Sequence, residues 1–222
     1  MDERLLNTLK ILTGEGVKPL LIKSYPKPGK DVDVLVRDSL EFEFAKKALE
    51  KAGYRIGREK DNKVMCFPPK ASLLKVHLHR HVSWSEIIYL TAKEVWGRSR
   101  KVRVCGVEFY LPSPEDEFLI RCLHSFFENQ YVSSRDAEAK SLIPGINLDK
   151  LRLIAGEHGL TPFVNLFIEM LARRRVKYPI AQFIKCYVYK LLYDAKNNRL
   201  TIRQALVYAR NLVRLLRRWL TC

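Results

Sequence analysis

Two carboxylates two residues apart, Asp31 and Asp33, stand at the mouth of the apolar stretch Val34-Leu35-Val36. On a β-strand, residues i and i+2 face the same side, with Cα atoms about 7 Å apart. Carboxylates so placed grip divalent cations from one side. Phosphoryl and nucleotidyl transfer need this, because the cations neutralise phosphates and activate an attacking oxygen. An Asp at a strand start can instead cap the preceding turn. That accounts for one Asp but not for a second, two residues into an apolar strand, where an unpaired carboxylate is costly. A second cluster is Lys75-Val76-His77-Leu78-His79-Arg80-His81-Val82. Alternation places Lys75, His77, His79 and His81 on one face and Val76, Leu78 and Val82 on the other. Three imidazoles on one face suit a metal site or a phosphate-binding surface. The same alternation also describes the polar face of a half-buried antiparallel strand. The spacing is not that of a Cys/His zinc module.

These side chains need strands to carry them, and the flanking sequence supplies candidates. Pro19-Leu20-Leu21-Ile22 reads as a strand running into Lys23-Ser24-Tyr25 and the turn-prone Pro26-Lys27-Pro28-Gly29-Lys30. Leu5, Leu6, Leu9 and Leu12 recur at helical spacing and stop at Gly14 and Gly16. Ser39 caps a helix with Phe42, Ala45, Ala48 and Leu49 inward, closed by Gly53. Strands are predicted at 54–58, 64–67 and 73–82, with a hairpin or bulged strand at 102–111 around Gly106. At Ser113-Pro114-Glu115-Asp116, Ser at the N-cap, Pro at N1 and Asp at N3 start a helix. Helices follow at 115–128, 148–158, 163–174, 180–194 and 201–220. The expected class is α+β: an N-terminal mixed sheet with helices over 1–112, then an all-helical module over 113–222.

The chain has 40 Lys and Arg against 24 Asp and Glu, a net charge of +16, which points to a polyanionic partner: a nucleotide triphosphate, and RNA or DNA on the basic surface. The last predicted helix carries Arg203, Arg210, Arg214, Arg217 and Arg218 around an apolar face of Leu206, Leu212, Val213, Leu216 and Leu220. It reads either as a packed helix with a solvated basic face or as a nucleic-acid backbone contact, and the Arg173-Arg174-Arg175 run adds to that charge. Arg121 and His124, one turn apart, form a pair that ribonuclease chemistry also uses, though a lone helical histidine is more commonly a satisfied core residue. His158 reads as a helix C-terminal residue favoured by the dipole. The five cysteines (66, 105, 122, 186 and 222) lack a Cys-x-x-Cys pair, which excludes a zinc ribbon and argues against a disulfide framework. Gly14, Gly16 and Gly29 form neither a P-loop nor a dinucleotide fingerprint. No apolar run is long enough for a membrane span, and the first residues lack a signal-peptide pattern, so a soluble cytoplasmic protein is expected. Oligomeric state is not legible.

The order Leu20-Leu21-Ile22-Lys23-Ser24, Asp31-Val32-Asp33-Val34-Leu35-Val36, Ala48-Leu49-Glu50-Lys51-Ala52-Gly53-Tyr54 and Val76-His77-Leu78-His79 resembles the uncharacterised nucleotidyltransferase family of the DNA polymerase β-like superfamily. That family runs an apolar strand into Lys-Gly or Gly-Ser, then Asp-(Ile/Val)-Asp-Leu-Leu-Val, a helix ending in Gly-Tyr, and a strand reading roughly Val-Asp-Leu-His. Leu111-Pro112-Ser113-Pro114-Glu115-Asp116 and His124 continue the match. The resemblance implies a Mg²⁺- or Mn²⁺-dependent enzyme moving a nucleoside monophosphate from an NTP to RNA, protein or a small molecule. A degenerate member acting as a basic nucleic-acid- or partner-binding module is the alternative. Asp31 and Asp33 would hold the metals, Lys23, Ser24 and Lys30 the phosphates, and His77 or His79 a third ligand or general base. Two departures stand out. Lys23-Ser24-Tyr25 lacks the family glycine, and only six residues separate Ser24 from Asp31. The position of the third carboxylate is His77, and imidazole is a poor magnesium ligand although it suits manganese or zinc. Glu59 or Asp61 would substitute, or a softer metal serve, or transfer have decayed.

Overall fold

The computed structural model describes residues 2–220 apart from 27, 61, 85, 86, 130, 175 and 198; for 135, 214–216 and 218–220 it describes the backbone alone. The first compact unit comprises Met1–Ser83 with Ile88–Glu117, the second Trp84–Ile87 with Phe118–Cys222.

Within the first unit, helix α1 (Glu3–Gly14) starts on Asp2, whose carboxylate accepts the N–H groups of Arg4 and Leu5. Strands β1 (Leu20–Ile22) and β2 (Asp31–Leu35) follow, then α2 (Ser39–Lys51), capped by Asp38 rather than by Ser39. Next come β3 (Arg55–Ile56), β4 (Lys63–Phe67), β5 (Lys75–His79), β6 (His81–Trp84), β7 (Ile87–Thr91), α3 (Ala92–Gly97), β8 (Arg100–Val104) and β9 (Val107–Leu111). Seven strands form one mixed sheet in the order β3-β4-β5-β2-β1-β9-β8, while β6 and β7 pair separately. β2 runs parallel to β5 and β1 parallel to β9; the other pairings within the seven are antiparallel. Parallel neighbours need long crossovers, and the segment holding α2, β3 and β4 makes the one between β2 and β5.

Alternation sorts the sheet's two faces. Val32, Val34, Cys66, Val76, Leu78 and Phe109 join Leu5, Leu9 and Leu12 of α1 and Phe42, Ala45 and Leu49 of α2 in one buried core. Each such fully buried aliphatic side chain is worth about 1.5–3 kcal/mol relative to exposure. Asp31, Asp33, Lys75 and His77 therefore occupy the opposite face.

The stretch expected as one strand over 73–82 is two. Arg80 bends between β5 and β6, held by Glu59 (3.0 Å) and Glu43 (2.8 Å) and lying over the Phe42 ring. The hairpin at β8–β9 turns on Cys105 and Gly106, both at positive φ (51° and 77°), the geometry that matches strand twist and favours glycine. β7 and α3 have no counterpart among the elements expected from sequence. The latter carries a legible signal, a capping box between Thr91 and Glu94.

α4 (Pro114–Leu123) runs from the first unit into the second, and a π-helical turn at His124–Asn129 continues it. The short α5 (Ser134–Ala137) and a 3₁₀ segment (Glu138–Gly145) precede α6 (Leu148–Glu157), α7 (Thr161–Ala172), α8 (Ile180–Lys196) and α9 (Ile202–Leu220). His158 is the C-terminal cap of α6. In α9 the expected inward face is rotated: Leu206 and Val213 are exposed, while Val207 and Tyr208 are buried. The Tyr208 hydroxyl donates to Asp194, itself paired with buried Lys190, so that polar cluster draws Tyr208 inward. Arg203, Arg210 and Arg217 are exposed, whereas the side chains of Arg214, Leu216, Arg218 and Leu220 lie outside the described residues, as does Arg175.

Candidate metal and nucleotide site

The parallel register sets Asp31 opposite Lys75 and Asp33 opposite His77, with His79 one alternation further along β5. The Asp33 Oδ1 oxygen lies 2.9 Å from His79 Nε2 and 3.4 Å from His77 Nδ1. The far side of the His77 ring reaches Asp31, with Nε2 at 3.6 Å from Oδ2. One imidazole thus stands between the two carboxylates. One ligand atom from each of Asp33, His77 and His79 falls within 4.8 Å of the other two. Among the described residues, buried His77 Nε2 has no hydrogen-bond partner. A buried imidazole nitrogen beside a carboxylate fits the donor set of a cation site. The donors, imidazoles and carboxylates together, fit manganese or zinc better than magnesium.

Two lysines balance the acids. Lys23 Nζ sits 3.5 Å from Asp33 Oδ2, and Lys75 Nζ 3.7 Å from Asp31 Oδ2. Asp33 is driven opposite ways: burial pushes its carboxyl up, while the Lys23 charge and the two imidazoles hold it well below the usual carboxylate range. The attractive partners win, and the group is ionised at neutral pH. Burial lowers His79 despite the opposing pull of Asp33, so at neutral pH this imidazole is neutral and able to ligate.

Lys23 takes φ 57°, the left-handed conformation that favours glycine. The missing family glycine is therefore missing where the backbone most wants one. Ser24 is buried; its hydroxyl donates to the Ile22 carbonyl (3.0 Å) and accepts the Asp33 N–H (2.9 Å), fastening β1 to β2. A phosphate oxygen, an acceptor, must compete with the Ile22 carbonyl for the hydroxyl proton. The Lys23 N–H donates to a Glu117 carboxylate oxygen (3.2 Å), so a backbone donor of this turn already meets an anion.

Of the residues picked out from sequence, Asp31, Asp33, His77, His79, Lys23 and Ser24 are gathered here. Lys30 stands exposed one residue ahead of β2, outside this set. His81, expected beside His77 and His79, is turned away by the bend at Arg80 and accepts the Ala92 N–H on Nδ1 (3.2 Å). Glu59 pairs with Arg80 and does not join the cluster; Asp61 lies outside the described residues. Glu117 was not anticipated, and no local pattern announces it. In the second unit, His124 Nδ1 meets buried Asp136 (2.8 Å), which also accepts from Asn129 and Ser133, while Arg121 lies near Glu138 (3.7 Å). That network ties the π-helical turn to the start of α5 and leaves the His124 reading structural.

The folded-state values of His79 and His81 both lie below the ordinary 6.5. Between the lowered value and 6.5 the unfolded chain binds more protons than the folded one. Stability is therefore full above about 6.5 and declines as pH falls through that interval, by at most about 1.4 kcal/mol per pH unit for each group. The urea midpoint is expected to fall between pH 7.5 and pH 5.5, and His79→Gln to flatten the slope. An unchanged slope in that variant would remove His79 from the account.

Three comparisons bear on this geometry. A sequence model of a family described as "Uncharacterised nucleotidyltransferase" matches residues 19–175. No protein of curated function matches the sequence. Among solved structures, the solution structure of the antibiotic-resistance factor ANT(2'')-Ia superposes with a TM-score of 0.52 at 10% identity, covering 71% of this chain and 92% of that one. That likeness is one of fold.

Proposed function

The chain belongs to the uncharacterised nucleotidyltransferase family, and from that membership we propose that it transfers a nucleoside monophosphate from an NTP to an acceptor hydroxyl, with Mn²⁺ favoured over Mg²⁺. The observation that supports this reading best is the convergence of Asp33, His77 and His79 on one point, with Asp31 beside them, on two parallel strands. A divalent cation held there supplies neutralisation of phosphate charge and polarisation of the attacking oxygen.

The residues divide the remaining tasks. Asp33 and His79 provide a fixed, ionised and neutral donor pair. His77, in the third-carboxylate position, provides a further donor through its unbonded nitrogen and bridges to Asp31. Lys23 and the backbone of its turn meet the phosphates, the N–H now held by Glu117 passing to a phosphate oxygen. The acceptor oxygen forms its bond to the α-phosphorus as the bond to the departing pyrophosphate breaks, and its proton passes to the Asp31 carboxylate. The chain contributes positioning and preorganised charge, which dominate in phosphoryl chemistry.

The test is incubation with labelled NTPs, Mn²⁺ or Mg²⁺, and total RNA, protein or small-molecule extract. Label transfer that Asp31→Ala with Asp33→Ala abolishes is the expected result. If calorimetry finds no NTP binding with either metal, the enzyme reading fails. The second reading then takes over, that of a degenerate fold serving as a basic binding module, which the histidine at the third-carboxylate position and the committed Ser24 hydroxyl favour.

A further inference from the structure

A concave site in the first unit is lined by none of the residues of the Asp33 cluster. It is a cleft of about 680 Å³ lined by Arg37, Asp38, Lys93, Trp96, Gly97, Ser99 and Tyr110. Its size falls within the usual range for small-molecule sites. Its wall is aromatic: the half-buried rings of Trp96 and Tyr110 meet at 4.8 Å between centroids. Its rim is cationic. The Arg37 guanidinium lies 5.0 Å from the Trp96 ring centroid, and Lys101 Nζ is 5.9 Å from that of Tyr110. Lys93 and Arg37 are both exposed. The indole Nε1 of Trp96 is buried in the wall and has no hydrogen-bond partner among the described residues.

We propose that this cleft binds single-stranded nucleic acid, stacking an unpaired base on the Trp96–Tyr110 wall with the adjoining phosphates on Arg37 and Lys93. Aromatic rings beside cations are the combination that holds a single strand, because every base offers a π-face and every linkage a charge. A duplex hides those faces, so the strand must be unpaired. The positive rim exceeds what one nucleotide needs. Lys101 and Arg103 of β8 project from the side of the sheet that bears Tyr110, and they share one carboxylate, Glu108, at 2.9 and 3.5 Å. Asp38 is occupied as the cap of α2, accepting the Glu41 N–H at 2.8 Å. The cleft also borders the transfer chemistry's own strand, since Arg37 follows β2 by two residues. Its occupancy nonetheless does not depend on whether the Asp33 site turns over.

The test uses the intact chain and a fluorescein-labelled RNA of about twelve nucleotides, long enough to fill one such binding groove, with affinity read by anisotropy. Binding is expected at low salt and should weaken at least tenfold between about 50 and 200 mM salt. Trp96→Ala should weaken it about tenfold, the loss of one stacked base, while Trp96→Phe stays within about twofold. Lys93→Glu, on an exposed side chain, should weaken it and lower the salt slope by about one. Thermal melts show which variants are folded; should Trp96→Ala unfold, Lys93→Glu and Arg37→Gln decide. Absent binding at low salt overturns the proposal, as does binding that folded Trp96→Ala and Lys93→Glu leave unchanged. Displacement of the RNA by ATP alone, with affinity independent of strand length, also overturns it and assigns the cleft to free nucleotide.

Discussion

Asparagine in place of Asp33 is expected to lower nucleotidyl transfer by about a thousandfold, the loss typical when a fixed charge-stabilising group is removed from a transfer site. The substitution preserves shape and removes charge. Asp33 is the hub of the cluster: its Oδ1 meets both imidazoles and its Oδ2 meets Lys23. Without the carboxylate, two imidazoles face the Lys23 ammonium with Asp31 alone to balance them, and the affinity for any divalent cation falls with the activity. Calorimetry with Mn²⁺ reads that loss directly. Asp31 is the comparison. It is more exposed than Asp33 and reaches His77 at 3.6 Å, so Asp31→Asn should lower activity while leaving the melting temperature nearer that of the parent. Asp33→Asn should also destabilise the fold, because the nearly buried Lys23 ammonium loses the Asp33 charge beside it. Full activity in folded Asp33→Asn would sink the assignment of the whole cluster.

How the site came to be legible in part follows from the distances in sequence that its interactions span. Alternation is local, so the shared face of Asp31 and Asp33, and that of His77 and His79, can be read from the chain. Pairing is not local. The contact between Asp33 and His77 depends on β2 and β5 lying parallel across a crossover of some forty residues, which no periodicity encodes and only the resemblance suggests. The misplacement of His81 has a specific cause. The alternation of 75–82 has one break, Arg80 on the otherwise apolar face, and that side chain is held by two glutamates from elsewhere and lies over Phe42, a tertiary contact that ends the strand. Lys23 shows the reverse. The motif lacks its glycine, yet the backbone still adopts glycine's conformation, so the turn persists without the residue that usually makes it. The segment of Trp96 lacks alternation, so only the Thr91–Glu94 box announces its helix.

The second large effect concerns the residue that departs most from the family. His77→Asp is expected to shift metal use toward magnesium, raising the ratio of Mg²⁺- to Mn²⁺-supported transfer at least tenfold, about 1.4 kcal/mol of altered preference. The reasoning begins from register: position 77 lies directly across from Asp33, so a carboxylate there points at the same space as the two aspartates. Magnesium demands oxygen ligands and tolerates imidazole poorly, whereas manganese accepts both. The substitution also carries an electrostatic penalty, since three carboxylates would share one small volume. Lys23 and Lys75 offset two of those charges, leaving a net negative site that a divalent cation neutralises. The variant should therefore melt lower than the parent without metal and recover when Mg²⁺ is added, a larger thermal shift than the parent shows. Two outcomes divide the possibilities. If His77→Asp gains Mg²⁺-dependent transfer, the imidazole is a ligand substitution that moved an oxygen site toward a softer metal. If it loses transfer with both metals as completely as His77→Ala does, the imidazole acts on the acceptor's proton, which an aspartate of low pKa accepts poorly at neutral pH.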